Sequence, residues 1–561
     1  MRFVSILIFS GLLCFPTDMT AQVDIFKVSD VGQDTIAMTH KIFEDFDSLE
    51  KPGVSVAVVR DGKIIYKNGY GSAHLEYDVP ISPSTVFHVA SVSKQFTVFA
   101  ILLLQREGKL SLDDDIRKYI PEVPDFGAKI SLRHLATHTS GLRDQWDLLR
   151  IGGWRMDDVI TTAHVLNLVS QQKELNFQPG EKYTYCNTGF TLLAEVVARV
   201  SGFSFPKFTQ KRIFEPLKME RTLFYDDHER IVKDRAYSYK KEEDVYKKSR
   251  LNYAIAGATS LFTTAEDLAL WVLNFQNPKV GNQAIIDQMN TLAVLNNGKT
   301  FGGAYGQFVG TYKGHKQIQH GGADAGYRSY LARFPKNDFA VITLSNFADS
   351  NPWNLALKVA DLYLEDKTVP GDEEREPSVY KSLSAEHLKQ FEGYYWNEKD
   401  EMSRQIKLEN DTLRYIRSEN NVTALAPVGF NKFEMLKVPS YVTVEFTKED
   451  NLGGMIVSED DENQYRFDNY IPIDLSALNI SPYEGTYFCP ELMTEYQIVF
   501  KNNELLARHF RLGEIPLKLI RADLMEAPGG IKIHMHRTED GSVDGMKVST
   551  GRASDLWFEK K

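Results

Sequence analysis

Phe87-His88-Val89-Ala90-Ser91-Val92-Ser93-Lys94-Gln95-Phe96 sets a Ser-x-x-Lys motif between two patterns of opposite kind. Upstream, Thr85, Val86, Phe87 and Val89 are β-formers and predict an extended segment. Downstream, Phe96, Phe99, Ile101, Leu102, Leu103 and Leu104 leave little polar face, the mark of a buried helix, and Gly108 is a fitting stop. Ser91 is expected at the N-terminus of that helix, with Lys94 one turn later on the same face. An amine then sits beside a hydroxyl in apolar surroundings. Burial and the positive helix end both disfavour the ammonium, so Lys94 is expected to be partly neutral and to act as a base. A serine with an adjacent base is an activated nucleophile. The motif alone is not selective, because Ser48, Ser170, Ser204, Ser238 and Ser378 also have a lysine three residues on. The ordinary alternative is a capping serine with a surface lysine. The strand before Ser91 and the apolar helix after it separate this copy from the others.

The bulk properties narrow the class. A chain of 561 residues corresponds to about three to four domain-sized units. Its 43% hydrophobic and 25% charged residues are those of a globular protein. A net charge of −11 offers no basic face for nucleic acid. Residues 1–22 read as a signal peptide: Arg2, an apolar run from Val4 to Phe15, Pro16, then Thr20-Ala21-Gln22. The run is too short to span a bilayer, so the chain is expected to be exported, periplasmic or extracellular, with no transmembrane segment. Leu13 before Cys14 does not fit a lipidation site. Cys186 and Cys489 remain, and a disulfide between them is not the favoured reading. The 13 histidines show no H-E-x-x-H spacing, and no metal or other cofactor is expected.

In chain order, Val28 to Glu50 reads as an amphipathic helix with Ile42, Phe43, Phe46 and Leu49 on one face. Val54–Val59 and Ile64–Tyr66 are strands joined by Asp61-Gly62, a hairpin signal. Ile130 to Leu142 forms a short helix and polar turn, where His134 and His138 are read as packing or loop-bracing residues rather than ligands. Phe177-Gln178-Pro179-Gly180 turns into an extended stretch that places Tyr185 and Asn187 on one side, ahead of a helix over Thr191–Val200. A tyrosine can shuttle a proton and an asparagine amide can grip a substrate carbonyl; their ordinary alternatives are aromatic packing and a helix cap. Thr264 and Asp267 resemble a helix N-cap. His320-Gly321-Gly322-Ala323 precedes strands over Tyr327–Phe334 and Phe339–Leu344, with Pro335–Asp338 as their turn. Glycine there lets a substrate backbone approach closely, and His320 is in place to donate a hydrogen bond to developing charge; the alternative is a plain glycine-rich turn.

Taken together and in order, Ser91-x-x-Lys94, Tyr185-x-Asn187 and His320-Gly321-Gly322 resemble the serine β-lactamase and penicillin-binding-protein superfamily, in its class C-like branch. Leu132-Arg133-His134-Leu135-x-Thr137-His138-Thr139-Ser140-Gly141-Leu142, Phe177-x-Pro179-Gly180, Ile213-Phe214-x-Pro216-Leu217-x-Met219 and Thr263-Thr264-Ala265-Glu266-Asp267-Leu268 add to the resemblance, which covers roughly residues 35–365. It implies an α+β fold: an antiparallel sheet built from the N-terminal hairpin and the later strands, flanked by helices, with a helical insertion. It implies that Ser91 forms an acyl-enzyme and that Lys94 and Tyr185 pass protons. Asn187 would orient the substrate amide, and Ser91 and Ala323 would supply the oxyanion-hole N–H groups beside His320 and Gly322. Such donors lower a barrier by about 3–4 kcal/mol each. His320 stands where many relatives carry a lysine, and Cys186 where serine is usual. The loss of a fixed positive charge points away from strong β-lactamase activity.

Beyond a charged linker at 367–384 the chain turns to short β patterns that repeat. Phe391-Glu392-Gly393-Tyr394-Tyr395 matches Tyr483-Glu484-Gly485-Thr486-Tyr487, 92 residues on, and Gly454-Met455-x-Val457 matches Gly545-Met546-x-Val548, 91 residues on. Two halves, 385–470 and 478–561, suggest one closed barrel or two packed sheets, all β and barrel-like, with a filled interior. They resemble the lipocalin-like modules that follow some of these hydrolases. The expected division is a hydrolase domain over 28–366 and a β domain over 385–561. The expected activity is acyl-enzyme hydrolysis of an ester, amide or D-amino-acid peptide bond, as in esterases, D-aminopeptidases, D,D-carboxypeptidases or a weak β-lactamase, on a small-molecule or peptide substrate. A catalytically silent binder of penicillin or cell-wall peptide is the alternative. Oligomeric state is not readable.

Overall fold

Alternation builds the central strand. In Val54–Arg60, Val54, Val56 and Val58 enter one apolar layer while Ala57 and Val59 enter another, so both faces are covered. Asp61 (φ 50°) and Gly62 (φ 72°) turn the chain back into Lys63–Tyr70, as the Asp-Gly signal predicts. The other edge of the central strand pairs antiparallel with Phe339–Ser345, from Val54 opposite Ser345 to Arg60 opposite Phe339. The sheet has six strands in the order Phe308–Tyr312, His315–Asp324, Tyr327–Phe334, Phe339–Ser345, Val54–Arg60, Lys63–Tyr70. Helices Gln33–Phe43 and Pro352–Tyr363 cover one face. Ala265–Gln276 lies on the other, capped by the Thr264 side chain as expected. This is a computed structural model, and it describes residues 33–365, 378–418, 421–436, 438, 441–447, 453–459, 463–473 and 479–561. The segment read as a signal peptide and most of the expected linker lie outside the described residues.

Two local expectations are corrected. Of the helix expected over 28–50, residues 28–32 lie outside the described residues, and the rest is observed as Gln33–Phe43 followed by a 3-10 turn, Glu44–Phe46. Asp47 leaves helical space (ψ 68°), and Leu49 faces solvent. Ser91 is not the first residue of its helix but the middle of a 3-10 turn, Ala90–Val92, with the helix at Ser93–Arg106. The cause is Ala90, whose left-handed backbone (φ 46°) closes a turn before the helix begins. Every residue from Ser93 to Leu104 is buried, and Trp271 stacks on Phe96 while its indole N–H donates to Gln95 Oε1 at 3.0 Å.

The C-terminal repeat resolves into two closed eight-stranded antiparallel barrels, one from Gly393 to Tyr470 and one from Gly485 to Lys560. Matching hydrogen bonds show the equivalence. The Tyr395 hydroxyl donates to Phe391 O as the Tyr487 hydroxyl does to Tyr483 O, and Glu392 and Glu484 each accept a backbone N–H, from Leu408 and Phe500. Each half therefore closes on itself, because each carries enough strands to leave no open edge. Side chains such as Tyr395, Phe433, Phe446 and Phe467 fill the first barrel. The second keeps an apolar cavity of only 50 Å³ between residues such as Ile498, Leu517 and Met546, far below the roughly 300 Å³ of a small-molecule site.

Among the described residues it is the second barrel that docks on the N-terminal domain, and the two share one continuous apolar core. Arg143 and Glu491 form an ion pair of 2.8 Å with side chains 1% and 5% exposed. The Tyr496 hydroxyl donates to Ile151 O and the Thr550 hydroxyl to Asp147 Oδ2, at 2.9 and 2.7 Å. The first barrel packs on the second through Trp396 against Ile520 and Leu524. Among the described residues no helix is long and apolar enough to cross a membrane.

Candidate active site

The Ser91 turn faces an open edge. Phe308–Tyr312 pairs with His315–Asp324 only as far as Gln319, so residues 320–324 have a strand neighbour on one side alone. The free side faces Ala90–Val92. Their close approach depends on Gly322: a Cβ there would lie 2.4 Å from both Val89 O and Ser329 Oγ. The Ser329 hydroxyl, donating to Val89 O at 2.8 Å, ties the two segments together. Between them opens a cleft of 550 Å³, lined by Ser91, Tyr185, Asn187, His320, Ala323 and Asp324 among others.

Lys94 is fully buried, and its Nζ has three oxygen neighbours: Ser91 Oγ at 3.1 Å, Asn187 Oδ1 at 2.8 Å and Ala258 O at 2.7 Å. The rings of Tyr185 and Phe190 complete its shell, at 4.8 and 5.4 Å to their centroids. Burial pulls its pKa down to about 7, Asp144 opposes this, and the nearby Arg552 charge reinforces it. A neutral amine has two N–H donors and one lone pair. Asn187 Oδ1 and Ala258 O can only accept, so they take the two donors, and the lone pair is left for the Ser91 hydroxyl.

Asn187 opens the helix Asn187–Ser201, which begins four residues before the expected Thr191. Its backbone N–H and side-chain Nδ2 both donate to Asp144 Oδ2, at 2.5 and 2.9 Å, while its Oδ1 accepts from Lys94. The asparagine expected to grip substrate is thus held at both ends and fixes the lysine. Sequence reasoning missed Asp144, which is fully buried and caps the helix Gln145–Ile151 by accepting from Trp146 N–H. Its only sequence signal is that of any N-cap aspartate.

Tyr185 lies beside Ser91, and burial raises its phenol above its ordinary value, so it stays protonated. His138 stacks on it at 4.2 Å, with Nδ1 accepting the Cys186 N–H at 3.0 Å. His134 instead joins a capping box with Ser131. Cys186 and Cys489 are both free and buried, and the Cys186 thiol points away from the cleft to Leu142 O.

His320 is buried, and its Nδ1 lies 2.6 Å from Gly321 O. A carbonyl only accepts, so Nδ1 carries the proton. Burial and the Lys94 charge pull the ring to about 3, which keeps it neutral. Its Nε2 is a bare acceptor with no partner among the described residues, so the donor role expected of it is not available in this tautomer. Asp324, also unassigned from sequence, accepts from the Thr259 hydroxyl at 3.0 Å and is raised by burial to about 7. Its other neighbour, His88, is neutral, because burial depresses it to about 3 and its Nε2 accepts Ser260 N–H.

Comparison with known proteins identifies the family of the N-terminal domain. A family model described as Beta-lactamase matches residues 40–363. Over 296 residues the chain is 26% identical to a D-aminopeptidase of Gluconobacter oxydans (strain 621H), covering 53% of this chain and 56% of that protein. Over 439 residues it is 26% identical to a penicillin-binding protein of Bacillus subtilis (strain 168), covering 75% of this chain and 95% of that one. The solved octameric penicillin-binding protein homologue from Pyrococcus abyssi is similar in structure, with a TM-score of 0.55 and 25% identity, covering 78% of this chain and 99% of that one. The chain spans less than two thirds of the length of the D-aminopeptidase it matches.

Proposed function

Because this chain belongs to the beta-lactamase family, we propose that it is an exported serine hydrolase of the class C-like branch, forming an acyl-enzyme on Ser91 with an ester, amide or D-amino-acid peptide. The observation that carries this reading is the setting of Lys94, whose oxygen neighbours leave its lone pair for Ser91. Neutral Lys94 takes the Ser91 proton as Oγ bonds to the substrate carbonyl carbon. The carbonyl π electrons move to oxygen, which the Ser91 and Ala323 N–H groups receive. As the tetrahedral intermediate collapses, the bond to the leaving group breaks and Tyr185 gives that atom a proton, which Lys94 restores. Water then repeats the sequence on the acyl-enzyme and frees Ser91. Asn187 holds Lys94 in line, and Gly322 keeps the strand close enough for Ala323 to reach the oxyanion.

Burial keeps the His320 ring neutral, so this strand position carries no fixed cation, and any charge that meets a substrate comes from elsewhere in the cleft. Export is supported by the Arg2, Val4–Phe15 and Thr20–Gln22 pattern. The test is the intact mass of the mature chain after exposure to a fluorophosphonate. One adduct on wild type and none on Ser91→Ala is the expected result. No adduct on either overturns the reading in favour of a silent binder.

A further inference from the structure

Among the described residues that line the cleft, Arg552 is the one arginine or lysine, and it belongs to the second barrel. We infer that Arg552 is the substrate-carboxylate anchor of this active site, selecting substrates whose leaving group carries an anionic carboxylate. The inference rests on the serine-hydrolase reading above.

Several observations converge on it. Arg552 sits in the loop between strands Val543–Ser549 and Leu556–Lys560, with its guanidinium carbon 5.2 Å from the centre of the Tyr185 ring. Tyr185 is the group placed to protonate the leaving atom, so the charge stands on the leaving-group side of Ser91. The loop is held from both domains. Arg552 O accepts the Asp144 N–H at 3.0 Å and the Asn176 amide at 2.9 Å, Ser554 N–H donates to Asn176 Oδ1 at 2.8 Å, and Ala553 is fully buried. These contacts use backbone atoms, which leaves the guanidinium uncommitted: among the described residues it makes no ion pair or side-chain hydrogen bond. A planar fork of donors on a fixed backbone suits a carboxylate, which it meets with two parallel hydrogen bonds.

None of His320, Lys94 and Asp324 supplies that charge. His320 is neutral with its Nδ1 proton spent on Gly321 O. Lys94 has both neutral-amine donors engaged by Asn187 and Ala258. Asp324 carries no positive charge, and its carboxyl already accepts from the Thr259 hydroxyl. The cation that the strand position lacks is thus supplied from the barrel, through a loop whose backbone also touches Asp144.

The test uses the full mature chain as wild type, Arg552→Gln and Arg552→Lys. Two thioesters of one N-acyl D-amino acid are compared, one with a free carboxylate on its leaving thiol and one with that carboxylate methylated. The readout is the ratio of kcat/KM for the acid over the methyl ester. Wild type is expected to prefer the acid. Arg552→Gln is expected to lower the ratio about tenfold to a hundredfold, the weight of one charged hydrogen-bonded contact, with Arg552→Lys between the two. A wild type without preference, or a ratio unmoved in Arg552→Gln, overturns the inference. Fluorophosphonate labelling of Ser91 in all three chains separates the causes. Labelling with an unmoved ratio removes only the role of Arg552, whereas no labelling of wild type removes the hydrolase reading and this inference with it.

Discussion

The Lys94 amine sets a pH dependence that can be worked out from its surroundings. Burial lowers its pKa from the ordinary 10.5 to about 7. The neutral form is the base, so acylation of Ser91 rises with pH. Between about pH 6 and about pH 8 the neutral fraction climbs from about a tenth to about nine tenths, so the rate rises roughly tenfold and then levels. An ordinary solvated lysine would give roughly a hundredfold rise over the same interval and no plateau. The assay is the rate of fluorophosphonate adduct formation by mass across that range. Lys94→Met keeps the length and apolar packing of the side chain, and should react about 10²–10⁴ times more slowly with no inflection near neutrality. The same shift acts on stability. Between pH 7 and 10.5 the unfolded chain holds a proton at Lys94 that the native chain does not. Stability therefore rises with pH through that window, and Lys94→Met removes about 1.4 kcal/mol of that rise per pH unit. A hundredfold rise in wild type, or Lys94→Met reacting at the wild-type rate, would refute the assignment.

Asp144→Asn removes a charge that holds the Lys94 pKa up, so the inflection in the labelling profile should move below about 7. Gly322→Ala drives a Cβ into Val89 O, pushes the strand off the Ser91 turn, and should cut labelling about 10²–10³-fold, the weight of an oxyanion donor. Gly321→Ala is the control: its Cβ has no neighbour nearer than 3.6 Å, and labelling should stay within a few-fold of wild type. Arg143→Ala strands Glu491 in the interface and should cost about 3–5 kcal/mol in urea unfolding, while Arg143→Met with Glu491→Leu should recover most of that loss.

Local chemistry made much of this site visible in advance. Ser91 and Lys94 stand out because a motif, a strand signal and an apolar helix coincide within twenty residues, and Tyr185 and Asn187 because an extended stretch aligns them. What escaped depends on partners distant in sequence. Asp144 carries the signature of an ordinary helix cap, and only the docking of Asn187 above it turns it into a brace. The direction of the His320 hydrogen bond is set by one backbone carbonyl, which no side-chain pattern encodes. Arg552 lies in a hairpin loop of a β repeat, and nothing in its neighbours points to Ser91. The repeat itself was legible, but not its closure into two barrels, since strand count per half depends on turns that short patterns describe poorly.

The shared core has a consequence for how the chain comes to be folded. Residues of the N-terminal domain such as Leu148 and Ile151 belong to the same apolar body as Ile498, Met525 and Phe558, while the first barrel keeps a body of its own. Synthesis runs from the N-terminus, so the first barrel can close while the N-terminal domain still lacks part of its interior. The N-terminal domain then keeps an apolar face uncovered until residues beyond 485 have emerged. A single nick or early stop in the last strands would therefore leave the first barrel intact and strip cover from apolar residues of the N-terminal domain, although the break lies more than a hundred residues beyond it.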